Sequence, residues 1–102
     1  MAKTLNNKRA NKDDMQNMAE MLKAAAHPDR LEILNLLFKT KTEGLAVKTI
    51  YEKLGLQQPI VSRHLNILKS AGFVRRMQEG QKTYYCLCKE KKTVESLSKC
   101  FC

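Results

Sequence analysis

Apolar residues recur at helical spacing through most of the chain and switch to a period of two near its end. Met15, Met18, Leu22 and Ala25 follow Asp13 and Asp14 at intervals of three and four, which predicts a first helix with acidic residues capping its positive end. His27-Pro28-Asp29-Arg30 interrupts that pattern and restarts it, with Pro28 suited to the first helical position. Leu31, Leu34 and Phe38, with Ile33 and Leu37 beside them, give the second helix a wide apolar face fit for the centre of a core. The polar run Lys39-Thr40-Lys41-Thr42-Glu43-Gly44 reads as a loop. Val47, Ile50, Tyr51 and Leu54 then make a third, shorter helix that Gly55 stops.

Only Leu56 and Gln57 separate that helix from the next, which runs from Pro59 to Ala71 with Gly72 just beyond its last turn. Val61, Leu65 and Leu68 form its buried stripe, and Ser62, Arg63 and Asn66 its polar face. Two short helices joined by a tight glycine-containing turn form a helix-turn-helix, whose second helix enters the DNA major groove. Helical hairpins with no DNA role share that spacing.

After Gly72 the period becomes that of a strand. Residues 73–77, the glycine-containing turn 78–81 and residues 82–88 predict a two-stranded hairpin, or wing. Its alternation puts Thr83, Tyr85 and Leu87 on one face and Tyr84, Cys86 and Cys88 on the other. Arg75, Arg76 and Lys82 suit contact with a nucleic-acid backbone, although arginines also keep a sheet edge soluble. After the charged connector Lys89-Glu90-Lys91-Lys92, Val94, Leu97 and Phe101 have the spacing of a last helix capped by Thr93. Ten residues are too few to hold a helix alone in water, so this one must dock, with the first helix the obvious support. The expected fold is mainly α with a small β-hairpin: five helices and a two-stranded wing in one winged helix-turn-helix unit over residues 13–102. Residues 1–12, with four bases and no acid, form a basic arm ahead of it.

Charge narrows the partners. The 102 residues carry 19 Lys and Arg against 10 Asp and Glu, a net charge of +9. The imbalance is local: residues 13–46 hold six acids and four bases, residues 47–92 three acids and ten bases. A basic half containing the helix-turn-helix and wing points to a polyanion, and an aromatic content of 6% argues against a single-strand stacking platform. No apolar run approaches the roughly 18–20 residues of a membrane span, and the N-terminus lacks the apolar segment of a signal peptide. A cytoplasmic location is therefore expected. His27 and His64 lie in separate segments, and no glycine-rich phosphate loop or acid–histidine–nucleophile set accompanies them, so no enzyme activity is expected. His27, at a helix junction, suits a cap or packing role better than a metal site.

Cys86, Cys88, Cys100 and Cys102 should be reduced in the cytoplasm. Two apart on a strand, Cys86 and Cys88 would point to the same side, whereas Cys100 and Cys102 converge only on an extended terminus. Four thiolates suit Zn(II) or Cd(II), three suit As(III), and an oxidant is a further class of effector. The Cys-x-Cys spacings differ from the usual zinc pattern, and inert thiols buried as small hydrophobes are the alternative.

The element order, with the words His-Pro-Asp-Arg-Leu-Glu-Ile-Leu, Gln-Gln-Pro-Ile-Val-Ser-Arg-His-Leu-Asn-Ile-Leu and Gly-Gln-Lys-Thr-Tyr-Tyr-Cys-Leu, resembles the ArsR/SmtB family over roughly residues 15–88. The resemblance implies a homodimeric winged-helix repressor, dimerised through its first and last helices and released from operator DNA when an effector binds. By motif, it implies DNA contacts from Gln58, Ser62, Arg63 and His64, with Gln57 at the helix entrance and Gln81 and Lys82 on the wing. The departures are specific. Where the metal-sensing members carry Cys-Val-Cys in the third helix, this chain reads Gly-Leu-Ala-Val-Lys-Thr-Ile. Its tail has no histidine and too few acids for the site that other members carry on the last helix. Gln57 replaces the usual serine cap, withholding some of the ~1 kcal/mol such a cap contributes. The competing reading is a winged-helix module that binds protein rather than operator DNA; the basic recognition face weighs against it.

Overall fold

The computed structural model describes residues 12–40 and 44–88 together with Val94. In chain order the elements are α1 (Lys12–Ala25), α2 (Pro28–Lys39), β1 (Leu45–Ala46), α3 (Val47–Leu54), α4 (Gln58–Ser70), β2 (Val74–Glu79) and β3 (Lys82–Leu87). The architecture is mainly helical with a small antiparallel wing, as expected from the periodicities. The count differs: four helices are present among the described residues, where five were expected. The final helix expected over residues 93–102 lies outside them except for Val94, which is buried. Most of the expected basic arm also lies outside, and Lys12 belongs to α1.

The stripe predicted on the recognition helix is the middle of the core. Val61, Leu65 and Leu68 are completely buried, as are Ile33, Ile50 and Phe73, with Leu34 and Leu37 nearly so. Fully burying a side chain of this size stabilises by about 1.5–3 kcal/mol, so three of them outweigh the ~1 kcal/mol of a missing cap. Gln57 indeed makes no side-chain cap bond at the start of α4. Packing rather than capping holds this helix.

Both helices of the helix-turn-helix end in the same way. Gly55 adopts φ 68 and Gly72 φ 92, and the amides that follow fold back: Leu56 N–H donates to Tyr51 O and Phe73 N–H to Leu68 O. These are Schellman closures, which need a left-handed residue that glycine supplies without a Cβ penalty. The second closure drives Phe73 into the core and aims the chain into β2.

The expected two-stranded hairpin is present, and a third strand joins it. β2 and β3 pair from Val74↔Leu87 to Glu79↔Lys82 around a two-residue turn, Gly80-Gln81, and β1 joins the other edge of β3 through Leu45↔Tyr85 and Ala46↔Tyr84. The sheet therefore has three strands. A two-residue strand has no alternation to read, which is why the pattern along the chain left Leu45 and Ala46 unassigned. Its approach depends on Gly44: a Cβ there would lie 2.5 Å from Tyr85 O and 3.1 Å from Cys86 Cβ, on a backbone with φ 137.

The first helix buries only part of its apolar surface, in keeping with an expected role in contacting a second subunit. Met21, Ala24 and Ala25 are the residues buried on α1, whereas Met15, Met18 and Leu22 are 50%, 44% and 52% exposed. The apolar surface of α1 is wider than the described body of the protein covers.

Candidate functional site

The polar side of α4 stands free of the core that holds its other side. Gln57, Gln58, Ser62, Arg63 and Asn66 are exposed, and Arg63 makes no hydrogen bond or ion pair with another described residue. Gln57 also keeps its amide uncommitted, because it does not cap the helix. Donors and acceptors on a rigid helix with nothing to satisfy them internally are the equipment of an intermolecular surface.

The wing approaches that surface at one end. Gln58 from α4, Gln81, Lys82 and Thr83 from the wing, and Lys48, Thr49 and Tyr51 from α3 line one open cleft of about 360 Å³. Of the residues singled out in the sequence, Gln58, Gln81 and Lys82 are thus brought together. Lys48 and Thr49 are additions that the chain pattern missed. They occupy the first turn of α3, whose N-cap Ala46 provides no side-chain acceptor, so the positive end of this helix and two lysines border the same cleft. A helix start by itself says little in sequence; its position opposite the wing is a tertiary fact. Elsewhere on the wing, the exposed Arg76 donates to Gln78 Oε1 at 2.9 Å.

His64 stands apart from this set. Only 8% exposed, it lies on the inward side of α4, with its ring 4.7 Å from that of His27. Arg30 Nε donates to His64 Nδ1 at 3.2 Å, and Arg30 Nη1 donates to Ala24 O at 2.9 Å. The guanidinium thereby joins the end of α1, the start of α2 and the middle of α4. His27 caps α2, its Nδ1 accepting the Asp29 amide at 3.1 Å. His27 thus has the capping role expected of it. Arg30 thus bonds an imidazole and a carbonyl.

His27, Asp29 and His64 each offer one potential ligand atom within 4.8 Å of the others. Their hydrogen bonds argue against a metal. Each ring accepts an N–H at Nδ1, so the proton of each neutral imidazole sits on Nε2, and a cation would have to displace either that proton or the bond. His64 Nε2, 3.6 Å from Asp29 Oδ2, faces the carboxylate in the way a positioned N–H would. The geometry is that of a neutral clamp on the recognition helix.

Burial lowers the pKa of His64 from its ordinary 6.5, with His27, Arg30 and Arg63 acting in the same direction and Asp29 opposing them. The unfolded chain therefore takes up a proton on this histidine at a higher pH than the folded chain does. Stability is fully present above the unfolded value of 6.5 and falls as pH drops from there through the lower folded value. In urea titrations, the unfolding midpoint is expected to drop between pH 7.5 and 5, and to drop less in His64→Gln. Equal pH dependence in both proteins would assign the effect to other groups.

Of the four cysteines, Cys86 and Cys88 are among the described residues, both as thiols outside any disulfide. Cys86 is half-buried with its Sγ 3.9 Å from Arg75 Nη2, whereas Cys88 is buried and its amide donates to Phe73 O. Cys100 and Cys102 lie outside the described residues.

Comparison with known proteins places this arrangement. Residues 27–76, from the His27 cap to Arg76 in the wing, match the model of the bacterial regulatory protein family arsR. The chain is 43% identical over 67 residues, 66% of its length and 73% of the relative's, to an uncharacterized HTH-type transcriptional regulator of Methanocaldococcus jannaschii. The crystal structure of the transcriptional repressor PagR of Bacillus anthracis superposes with a TM-score of 0.78 at 34% identity, over 90% of this chain and 100% of that one. The homodimeric winged helix-turn-helix DNA-binding domain of a possible ArsR-family regulator from Mycobacterium bovis superposes with a TM-score of 0.71 at 28% identity, over 92% and 82% of the two chains. The chain belongs to the arsR family of bacterial regulatory proteins and is a winged helix-turn-helix transcriptional regulator, not an enzyme.

Proposed function

We propose that this regulator is a cytoplasmic homodimeric repressor that holds its operator through two copies of α4, one in each of two major grooves a helical turn apart. The observation that carries the reading is the free polar face of α4 beside the cleft shared by Gln58, Gln81, Lys82, Lys48 and Thr49. In this reading Arg63 reads a base, Ser62, Gln57 and Gln58 bond bases or phosphates, and the wing with the start of α3 holds the backbone. His64 serves from inside, as the support of the helix rather than a contact. Residues 13–102 act as one unit in which α1 and the end of the chain form the dimer interface, and residues 1–12 act as a basic arm. The exposed stripe Met15, Met18 and Leu22 supports that use of α1, as does the homodimeric state of the Mycobacterium bovis domain. PagR, named a transcriptional repressor, supports the sign of regulation.

Release from the operator is assigned to the thiols. Zn(II), Cd(II), As(III) and an oxidant are the effector classes they suit, with Cys86, Cys88, Cys100 and Cys102 as the candidate groups.

The test is duplex binding by the reduced protein across a salt series. Each phosphate neutralised contributes about −0.9 to the slope of log affinity against log salt, so roughly three to four contacts per protomer give a slope of about −5 to −7. Binding should weaken on adding the effective ion or oxidant. An absence of duplex binding at low salt would favour the protein-interaction module instead.

A further inference from the structure

Ile60 is exposed where a soluble helix gains nothing from an isoleucine. It lies in the first turn of α4 and is 37% exposed. The other large exposed hydrophobic residues among those described, Met15, Met18 and Leu22, all share α1. Ile60 has no such company. Arg63 follows it by three residues and Gln57 precedes it by three, so on the helix surface it sits between two polar groups already assigned to the DNA face. The buried stripe begins one position later, at Val61, and is complete without it. Its β-branch slightly disfavours the helix, so neither propensity nor core packing accounts for it.

The major groove offers one apolar feature, the 5-methyl group of thymine; everything else on the base edges there donates or accepts hydrogen bonds. The neighbouring Gln57 and Gln58 carry the side-chain amide that matches adenine N6 and N7. An amide and an aliphatic group at the same helix entrance are the two complements of an A·T pair.

We propose that Ile60 is a specificity-determining residue that packs on a thymine methyl group in each half-site. This inference rests on the operator-binding reading above and deepens it. It specifies what is read: a methyl group, in a segment that Gln57 or Gln58 also reads as adenine.

The experiment begins by selecting preferred duplexes from a randomised pool with the full-length protein. Each thymine of the selected half-site is then replaced singly by deoxyuridine, which removes the methyl group and leaves base pairing intact. At one position the wild-type protein should lose about fourfold in affinity, the value of one buried carbon. Ile60→Ala should bind the thymine duplex more weakly by at least that factor and be indifferent to deoxyuridine at that position. Ile60→Val should keep most of the discrimination. Because Ile60 lies outside the core cluster, the thermal melting of Ile60→Ala should stay close to that of the wild type. If the wild type selects a site but no thymine is sensitive to deoxyuridine, or if Ile60→Ala keeps the wild-type sensitivity, the assignment to Ile60 is wrong while operator binding stands. If no site emerges from the pool, the operator-binding reading fails and takes this one with it.

Discussion

Arg63→Ala is expected to erase the preference for operator over random duplex while leaving a weak attachment that disappears with added salt. The side chain lies opposite Val61, Leu65 and Leu68, has no partner among the described residues and is exposed, so its removal leaves the packing of α4 intact. A guanidinium bonded to guanine O6 and N7 contributes about 1–3 kcal/mol of discrimination, and a dimer uses it twice. The expected loss is roughly 2–6 kcal/mol in specificity, a factor of tens to tens of thousands. Competitive titration of operator against random duplex at two salt concentrations measures it. The residual binding should keep most of the wild-type salt slope, because Lys48, Lys82 and the other groups proposed to hold phosphates remain. An unchanged footprint on the operator would remove Arg63 from base readout. Arg63 also lowers the pKa of His64, so the variant should hold a proton on that histidine at slightly higher pH.

Arg30→Ala is expected to cost the fold about 2–3 kcal/mol, more than an exposed cation normally contributes. The reason lies in what the guanidinium leaves behind. His64 Nδ1 and Ala24 O both lose their donor, and both belong to residues that are 8% exposed, so water replaces it poorly. The Asp29–His64 approach and the His27 cap depend on the same junction. Urea unfolding at one fixed protein concentration should show the loss as a lower midpoint with unchanged slope. Arg30→Lys should recover little, because a single ammonium cannot reproduce the two directions that Nε and Nη1 serve. A midpoint within the error of the wild type would show that the three-helix tie is decorative. Operator affinity should fall along with stability, since the tie ends on the recognition helix.

Much of the helical plan was legible because it rests on local physics. Val61, Leu65 and Leu68 recur at helical intervals, and the structure buries all three completely. Gly55 and Gly72 sit where left-handed closures are needed, and Pro28 sits where a missing amide costs nothing. Less visible were features in which partners distant along the chain decide. The stripe of Met15, Met18 and Leu22 has the same spacing as a core stripe, yet the face one step round the helix, Met21 with Ala24 and Ala25, is the one turned inward. Periodicity identifies a stripe; it does not say whether the stripe belongs to this chain's core or to another surface. His64 was equally ambiguous. Beside Ser62 and Arg63 in sequence, it lies more than a quarter of a turn round the helix from each, and 34 residues separate it from the arginine that holds it.

By itself, the sequence determined the helix-turn-helix, the switch to a strand period after Gly72, the concentration of positive charge in residues 47–92 and the polar face of α4. Each of these follows from the spacing of neighbouring residues and the chemistry of single side chains. The tertiary structure alone decided which residues meet. It brought Lys48 and Thr49 to Gln58 and Lys82, closed β1 onto β3 through Gly44, turned His64 toward His27 and Arg30, and left Ile60 partly exposed near Arg63. Those meetings depend on how the elements pack against one core, and packing is a sum over contacts between residues far apart in the chain, which no local pattern records.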